Sequence, residues 1–228
     1  MQQDGLFDDA SPPSFEETSA KPVEQRYIFL PGLRPDEGYH DITEMDKLEQ
    51  TARGCFCCPL RRDCTQVVFG DGNPEADIML VGEGPGETED QMGKPFVGKA
   101  GQLLDKILEA VNFTRSQVYI GNVVKCRPPG NRLPNAQEIT ACRGYLEAQI
   151  RIIRPQIIIC LGALATQTVV DPRAKITQVR GRWFSRHEVM IMPTYHPAAL
   201  LRNENLKRPV WEDFKLIRDE VQKRGLKV

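Results

Sequence analysis

From residue 77 onward, apolar and amphipathic blocks take turns along the chain. Ile78-Met79-Leu80-Val81 is an unbroken apolar run, the pattern of a strand covered on both faces. Val118-Tyr119-Ile120 and Val123-Val124 bracket a second strand, residues 156–161 predict a third and residues 189–192 a fourth. Between them the apolar period lengthens to that of a helix. Residues 102–111 place Leu103, Leu104, Ile107 and Leu108 on one face, and residues 136–153, 163–170 and 211–223 read the same way. A further short helix is expected over residues 42–52. Strands alternating with helices predict an α/β domain, a three-layer α/β/α arrangement on a mostly parallel four-stranded central sheet. In such sheets ligands bind beyond the carboxyl ends of the strands.

Residues 1–42 break this pattern. They are acidic and proline-bearing (Asp8-Asp9, Pro12-Pro13, Glu16-Glu17), with few large apolar residues before Tyr27-Ile28-Phe29-Leu30. That composition cannot sustain a core, so this extension is expected to be disordered, with the Tyr27-to-Leu30 patch as the part able to dock. Residues 43–228 are expected to form the domain. Charge divides along the same line: the first 50 residues hold 12 acidic and 4 basic side chains, and the remainder 19 and 26. A moderately basic body suits a phosphate-bearing partner. The N-terminus does not look like a signal peptide, and no apolar run approaches membrane-spanning length. Seven cysteines without an export signal argue against a disulfide framework and for a reducing cytoplasm.

Four of those cysteines form two pairs, Cys55-x2-Cys58 and Cys126-x15-Cys142. Thiolates are soft ligands, and the spacing leaves a structural zinc and an iron–sulfur cluster both open. Cys160 and Cys64 read as small buried hydrophobes, and Cys57 as an alternative ligand.

Val81-Gly82-Glu83-Gly84-Pro85-Gly86 follows the first strand as a phosphate loop would. The chain continues Glu87-Thr88-Glu89-Asp90, however, whose carboxylates would repel a pyrophosphate, so a dinucleotide site is excluded. Glu83 in a strand-end turn could instead order a water or face a developing cation. Asn122 interrupts an otherwise apolar strand, and His196-Pro197 follows the fourth.

Together these segments resemble the family-4 uracil-DNA glycosylases over residues 50–218. The resemblance rests on Val68-Phe69-Gly70-Asp71-Gly72-Asn73-Pro74, on Gly82 to Glu87, on Lys94-Pro95-Phe96-Val97-Gly98-Lys99-Ala100-Gly101, on Asn122 to Arg132 and on His196-Pro197-Ala198-Ala199-Leu200-Leu201-Arg202, in that order. It implies a [4Fe–4S] cluster on Cys55, Cys58, Cys126 and Cys142. It also implies removal of uracil from single- or double-stranded DNA in base excision repair, leaving an abasic site. Phe96 would stack on the flipped base, with Asn122, Gly84 and Glu89 as further substrate contacts. His196 would stabilise the departing base, Glu83 the water or the sugar cation, and Asn122 completes the catalytic set. Leu200 and Leu201 would wedge into the duplex, while Lys99, Arg127, Arg132 and Arg202 would contact phosphates. The family pattern usually carries Thr where Gly121 stands, which is expected to loosen the turn at Asn122. A related subgroup traps DNA covalently through a histidine after the second strand; residues 127–135 contain none, so turnover is expected. The competing reading is a non-cleaving iron–sulfur DNA-binding protein of the same fold, a damage sensor or polymerase accessory. A monomer is expected, with the acidic extension as the attachment point for a replication or repair partner.

Overall fold

The structure is a computed structural model, and it describes residues 29–34, 37–226 and 228. Residues 1–28, with the predicted disorder and with Tyr27 and Ile28, lie outside the described residues. Among the described residues the chain runs through α1 (Met45–Arg53), α2 (Leu60–Asp63), β1 (Asp71–Gly72), β2 (Ile78–Gly82), α3 (Glu87–Met92), α4 (Lys99–Ala110), β3 (Tyr119–Asn122), α5 (Ala136–Ile153), β4 (Ile157–Leu161), α6 (Ala163–Val169), α7 (Ile176–Val179), β5 (Phe184–Arg186), β6 (Val189–Thr194), α8 (Pro197–Arg202) and α9 (Lys207–Arg224). The strand order is β1-β3-β2-β4-β6-β5.

The four expected strands form the parallel centre of this sheet. Two short antiparallel strands, β1 on β3 and β5 on β6, extend it to six. The extra strands went unseen because two or three residues carry no readable period. β2 and β4 are buried at every position, as strands covered by helices on both faces must be. Alternate residues feed two cores. Met79, Val81, Ile158 and Cys160 pack with α1, α5 and α6 on one side. Ile78, Leu80, Ile157 and Ile159 pack with α4, α8 and α9 on the other.

The segment expected to be disordered is docked from residue 29. Phe29 and Leu30 are buried, and their backbone N–H groups donate to the Glu147 carboxylate at 2.6 and 2.7 Å. Arg186 donates to the Phe29 carbonyl, Arg143 to that of Gly32, and Arg151 to those of Tyr39 and Ile42. The Tyr39 ring stacks on Tyr145, centroids 4.3 Å apart. These residues form a strap along α5. The segment binds here because Phe29, Leu30 and Leu33 join the core while charged side chains of the helix bond its backbone.

No helix among the described residues is long and apolar enough to cross a membrane.

Candidate active site

β2 is flanked by β3 on one side and β4 on the other, so the chain switches direction at β2 and opens a crevice at its carboxyl end. Glu83 leaves β2 at that point, Asn122 ends β3 in register with Gly82, and His196 follows β6. The ladder continues past the strands: Val123 N–H donates to the Gly82 carbonyl and Val124 N–H to that of Glu83, which fixes the two turns against each other. The three residues line one cleft of about 570 Å³ with Phe96, Gly84 and Arg202.

Gly82 is where side chains come closest. A Cβ there would lie 2.4 Å from Asn122 Oδ1 and 2.6 Å from the Phe96 ring, so only glycine lets both groups reach the same spot. Phe96 adopts a left-handed backbone, φ 52°, a strained conformation for an aromatic residue. Arg115 holds it there by donating to the carbonyls of Pro95 and Phe96. Its ring centroid stands 5.4 Å from that of His196.

Asn122 is 1 % exposed, and its Oδ1 is buried without a hydrogen-bond partner. Leaving such an atom unpaired costs about 1–3 kcal/mol, which a ligand N–H would recover. His196 Nδ1 accepts the Ala198 N–H at 3.1 Å, which caps α8 and leaves the ring proton on Nε2. Desolvation, reinforced by the Arg202 charge, pushes its pKa down to about 4, so the imidazole is neutral at physiological pH. The approach to His196 is fixed from behind: Thr194 and Arg180 both bond Asp213 of α9, and Arg180 lies against the Tyr195 ring. Glu83 is half-buried, and its carboxylate accepts no hydrogen bond among the described residues. Desolvation raises its pKa, and Arg202 partly offsets that.

Glu89 lines the same cleft and also accepts N–H groups of Gly86, Val97 and Gly98, tying the glycine turn to the Phe96 loop. Leu200 is 1 % exposed and packs in the core beneath α8, so it cannot reach DNA, whereas Leu201 is 49 % exposed. Arg132 makes a two-pronged ion pair with buried Glu138, at 2.7 and 2.8 Å, and lines the cleft. Arg127 donates to Asn131 and lies 3.8 Å from Glu87. Lys99 and Arg202 are exposed and make no hydrogen bond or ion pair among the described residues. Gly121 does not loosen a turn; it lies inside β3, paired with Val81. Sequence reasoning missed Leu133, which lines the cleft at 67 % exposure, and Asp90, whose buried carboxylate accepts the Thr65 N–H.

Cys55, Cys58, Cys126 and Cys142 line a separate small cavity with Cys57, Lys125 and Tyr145. None of the seven cysteines is in a disulfide. Burial pushes the Cys142 thiol up to about 12 and that of Cys126 higher, a cost that a cationic metal core removes by binding the thiolate. Among the described residues no group of three or more His, Cys, Asp or Glu side chains is placed to hold a metal ion. The donor set is all sulfur and comes from two segments, which fits a cluster whose irons each take one thiolate.

Residues 69–215 match the model of the uracil DNA glycosylase superfamily. The chain belongs to that superfamily. The type-4 uracil-DNA glycosylase of Sulfurisphaera tokodaii is 47% identical over 187 residues, 78% of this chain and 85% of that protein. That of Thermotoga maritima is 46% identical, covering 79% and 96%, and that of Saccharolobus solfataricus 40% identical, covering 81% and 90%. These relatives make the chain a member of the type-4 group, and the cleft described above lies inside the matched region.

Proposed function

We propose that this protein is a uracil-DNA glycosylase that hydrolyses the N-glycosidic bond of uracil in DNA and leaves an abasic site. The observation that carries the reading is the buried, unpaired Asn122 Oδ1 beside the Phe96 ring and a neutral His196. Uracil presents an N3–H between two carbonyls. The Asn122 amide accepts from that N–H and donates to O4, whereas cytosine offers a lone pair at N3 and would leave Oδ1 unpaired. Phe96 supplies a stacking surface for the flipped base, worth about 1–3 kcal/mol.

Bond cleavage places negative charge on the departing base and positive charge on the sugar. His196 Nε2–H donates to the base O2, where the anion develops, and does so without ever being protonated. The Glu83 carboxylate, carrying no hydrogen bond of its own, faces the sugar and either orients the attacking water or stabilises the oxocarbenium ion. Leu201 fills the gap left by the flipped nucleotide, and Lys99, Arg127 and Arg202 contact phosphates. Cys55, Cys58, Cys126 and Cys142 hold a [4Fe–4S] cluster, which when bound clamps the segment before β2 to the segment after β3. Hydrolysis needs no redox step. The cytoplasm, which keeps ligand thiols reduced, is the setting for such a site.

The test is incubation with a uracil-containing oligonucleotide followed by alkali. Strand breaks at uracil are expected from the wild type and about 10²–10³-fold fewer from His196→Ala. A brown protein that binds this DNA and leaves uracil in place would favour the non-cleaving reading instead.

A further inference from the structure

Lys125 is a buried ammonium that the proposed chemistry does not use. It is 2 % exposed, and among the described residues no carboxylate stands within ion-pair distance of it. Its Nζ donates to the Asn122 carbonyl at 2.8 Å and to Gln149 Oε1 at 2.5 Å, and lies 5.9 Å from the centre of the Phe69 ring. Gln149 is equally buried and fully used, its Nε2 donating to the Phe69 carbonyl and the Tyr119 hydroxyl. The same lysine also borders the cysteines: its main-chain N–H donates to Cys142 Sγ at 3.2 Å, and the residue helps line the cysteine cavity.

An ammonium removed from water without a counter-ion costs several kcal/mol, so a filler at this position would be apolar. The groups beside Lys125 that become anionic on binding a metal core are the cysteine sulfurs of the cavity it helps line, Cys142 Sγ being bonded to its N–H. Four thiolates around a metal core leave net negative charge, and one buried lysine beside them supplies the compensating positive charge. The other end of that charge grips the carbonyl of the residue that reads the base. Resting on the cluster and pocket assignments above, we propose that Lys125 is a positioning residue that couples the thiolate site to base recognition. Its ammonium, balanced by the cluster's charge, locks the Asn122 main chain at the angle that presents the amide to uracil.

The test compares wild type, Lys125→Met, Asn122→Ala and the double variant in single-turnover excision, together with the visible spectrum and reduction potential of the bound cluster. Lys125→Met is expected to slow excision on the order of 10–100-fold, the range seen when an orienting partner is lost, and to slow Asn122→Ala no further. The cluster potential is expected to fall, because a nearby positive charge favours the reduced form. An additive loss in the double variant would reduce Lys125 to a general stability role and overturn the link to Asn122. An unchanged potential would overturn the link to the thiolate site. Should Lys125→Met fail to fold, Gln149→Glu gives the ammonium a local counter-ion and is expected to lower both rate and potential; wild-type values for both would overturn the proposal. A coloured wild type that excises uracil while Lys125→Met matches it sinks this inference alone, whereas a wild type that leaves uracil in place sinks the reading beneath it.

Discussion

Glu147 and Glu83 are both carboxylates withdrawn from water, and the two faces of the molecule treat them in opposite ways. On the strap side, Glu147 is fully buried and accepts two backbone N–H groups from Phe29 and Leu30. On the cleft side, Glu83 accepts none and has only the Arg202 charge in its neighbourhood as compensation. Desolvation raises the pKa of both, but only Glu147 has its anion stabilised by hydrogen bonds. The same division holds for the amides: Gln149 is bonded at both ends, while Asn122 keeps an orphaned Oδ1. Glu147 and Gln149, which hold the fold, are satisfied within it, whereas Glu83 and Asn122, which face the cleft, are left for substrate to satisfy.

Exchanging each carboxylate for its amide gives the largest expected contrast. Glu83→Gln should lower excision by about 10²–10⁴-fold while raising the thermal midpoint, since it removes an unpaired buried charge. Glu147→Gln should do the reverse. One of its two N–H partners loses an acceptor, at about 1–3 kcal/mol, and excision per folded molecule stays near wild type. Thermal melts and single-turnover rates on both variants decide the matter. A Glu83→Gln protein that is less stable than wild type would break the comparison.

Two adjacent leucines sharpen it at the next level of effect. Leu200→Ala removes a side chain from the core and should cost about 2–5 kcal/mol of stability. Leu201→Ala should change stability by no more than about 0.5 kcal/mol, yet slow excision from duplex DNA more than from single strands, where no gap needs filling. Equal rate losses on both substrates would remove Leu201 from the wedge role.

These leucines also show where the sequence was legible and where it was not. The four parallel strands and the long helices stood out because each repeats its period over enough residues to outvote local noise. Asn122 and His196 stood out because a polar residue in an apolar context needs a reason. Leu200 and Leu201 did not separate, because α8 spans only six residues and its phase relative to the core is a tertiary fact. The resemblance makes Glu89 a substrate contact, and nothing in the acidic run singles out Asp90. Their bonds go to N–H groups of residues 65 and 97–98, which no local pattern announces. Phe29 and Leu30 were legible as a patch able to dock, but the strap's partners Glu147, Arg151 and Arg186 lie more than 100 residues away and were not. Lys125 sat in plain view next to Cys126, but a lysine beside a cysteine reads as surface until burial is known.

The strap itself offers a smaller effect with an informative sign. A Cβ on Gly144 of α5 would lie 1.9 Å from the Glu37 carbonyl. Elsewhere in a helix Gly→Ala gains up to about 1 kcal/mol, but here the clash should turn the change into a loss of about 1–3 kcal/mol. A stabilised Gly144→Ala protein, measured by denaturant unfolding, would show that the strap does not rest on the helix so closely.

The smallest effect is a displacement along the pH axis, and it tests the unpaired state of Glu83 directly. Its carboxyl must be ionised to face a sugar cation, and desolvation raises its pKa above the ordinary 4.5. Excision should therefore fall as pH drops through that raised value. The sign for stability is opposite. A raised pKa means the folded state binds the proton more tightly than the unfolded chain, so Glu83's contribution to stability grows as pH falls through this window and is lost as pH rises through it. Activity and stability should thus cross in the same pH range, and Glu83→Gln should abolish both dependences. His196, already neutral above about 4, adds no limb near 6.5. Arg202→Gln removes the positive charge that favours the Glu83 anion and disfavours the imidazolium, so the acid limb should move to higher pH. Single-turnover rates at saturating single-stranded DNA from pH 4 to 8 would measure it. An acid limb near 6.5 that disappears in His196→Gln would mean that the histidine, not the glutamate, is the group the cleft leaves to titrate.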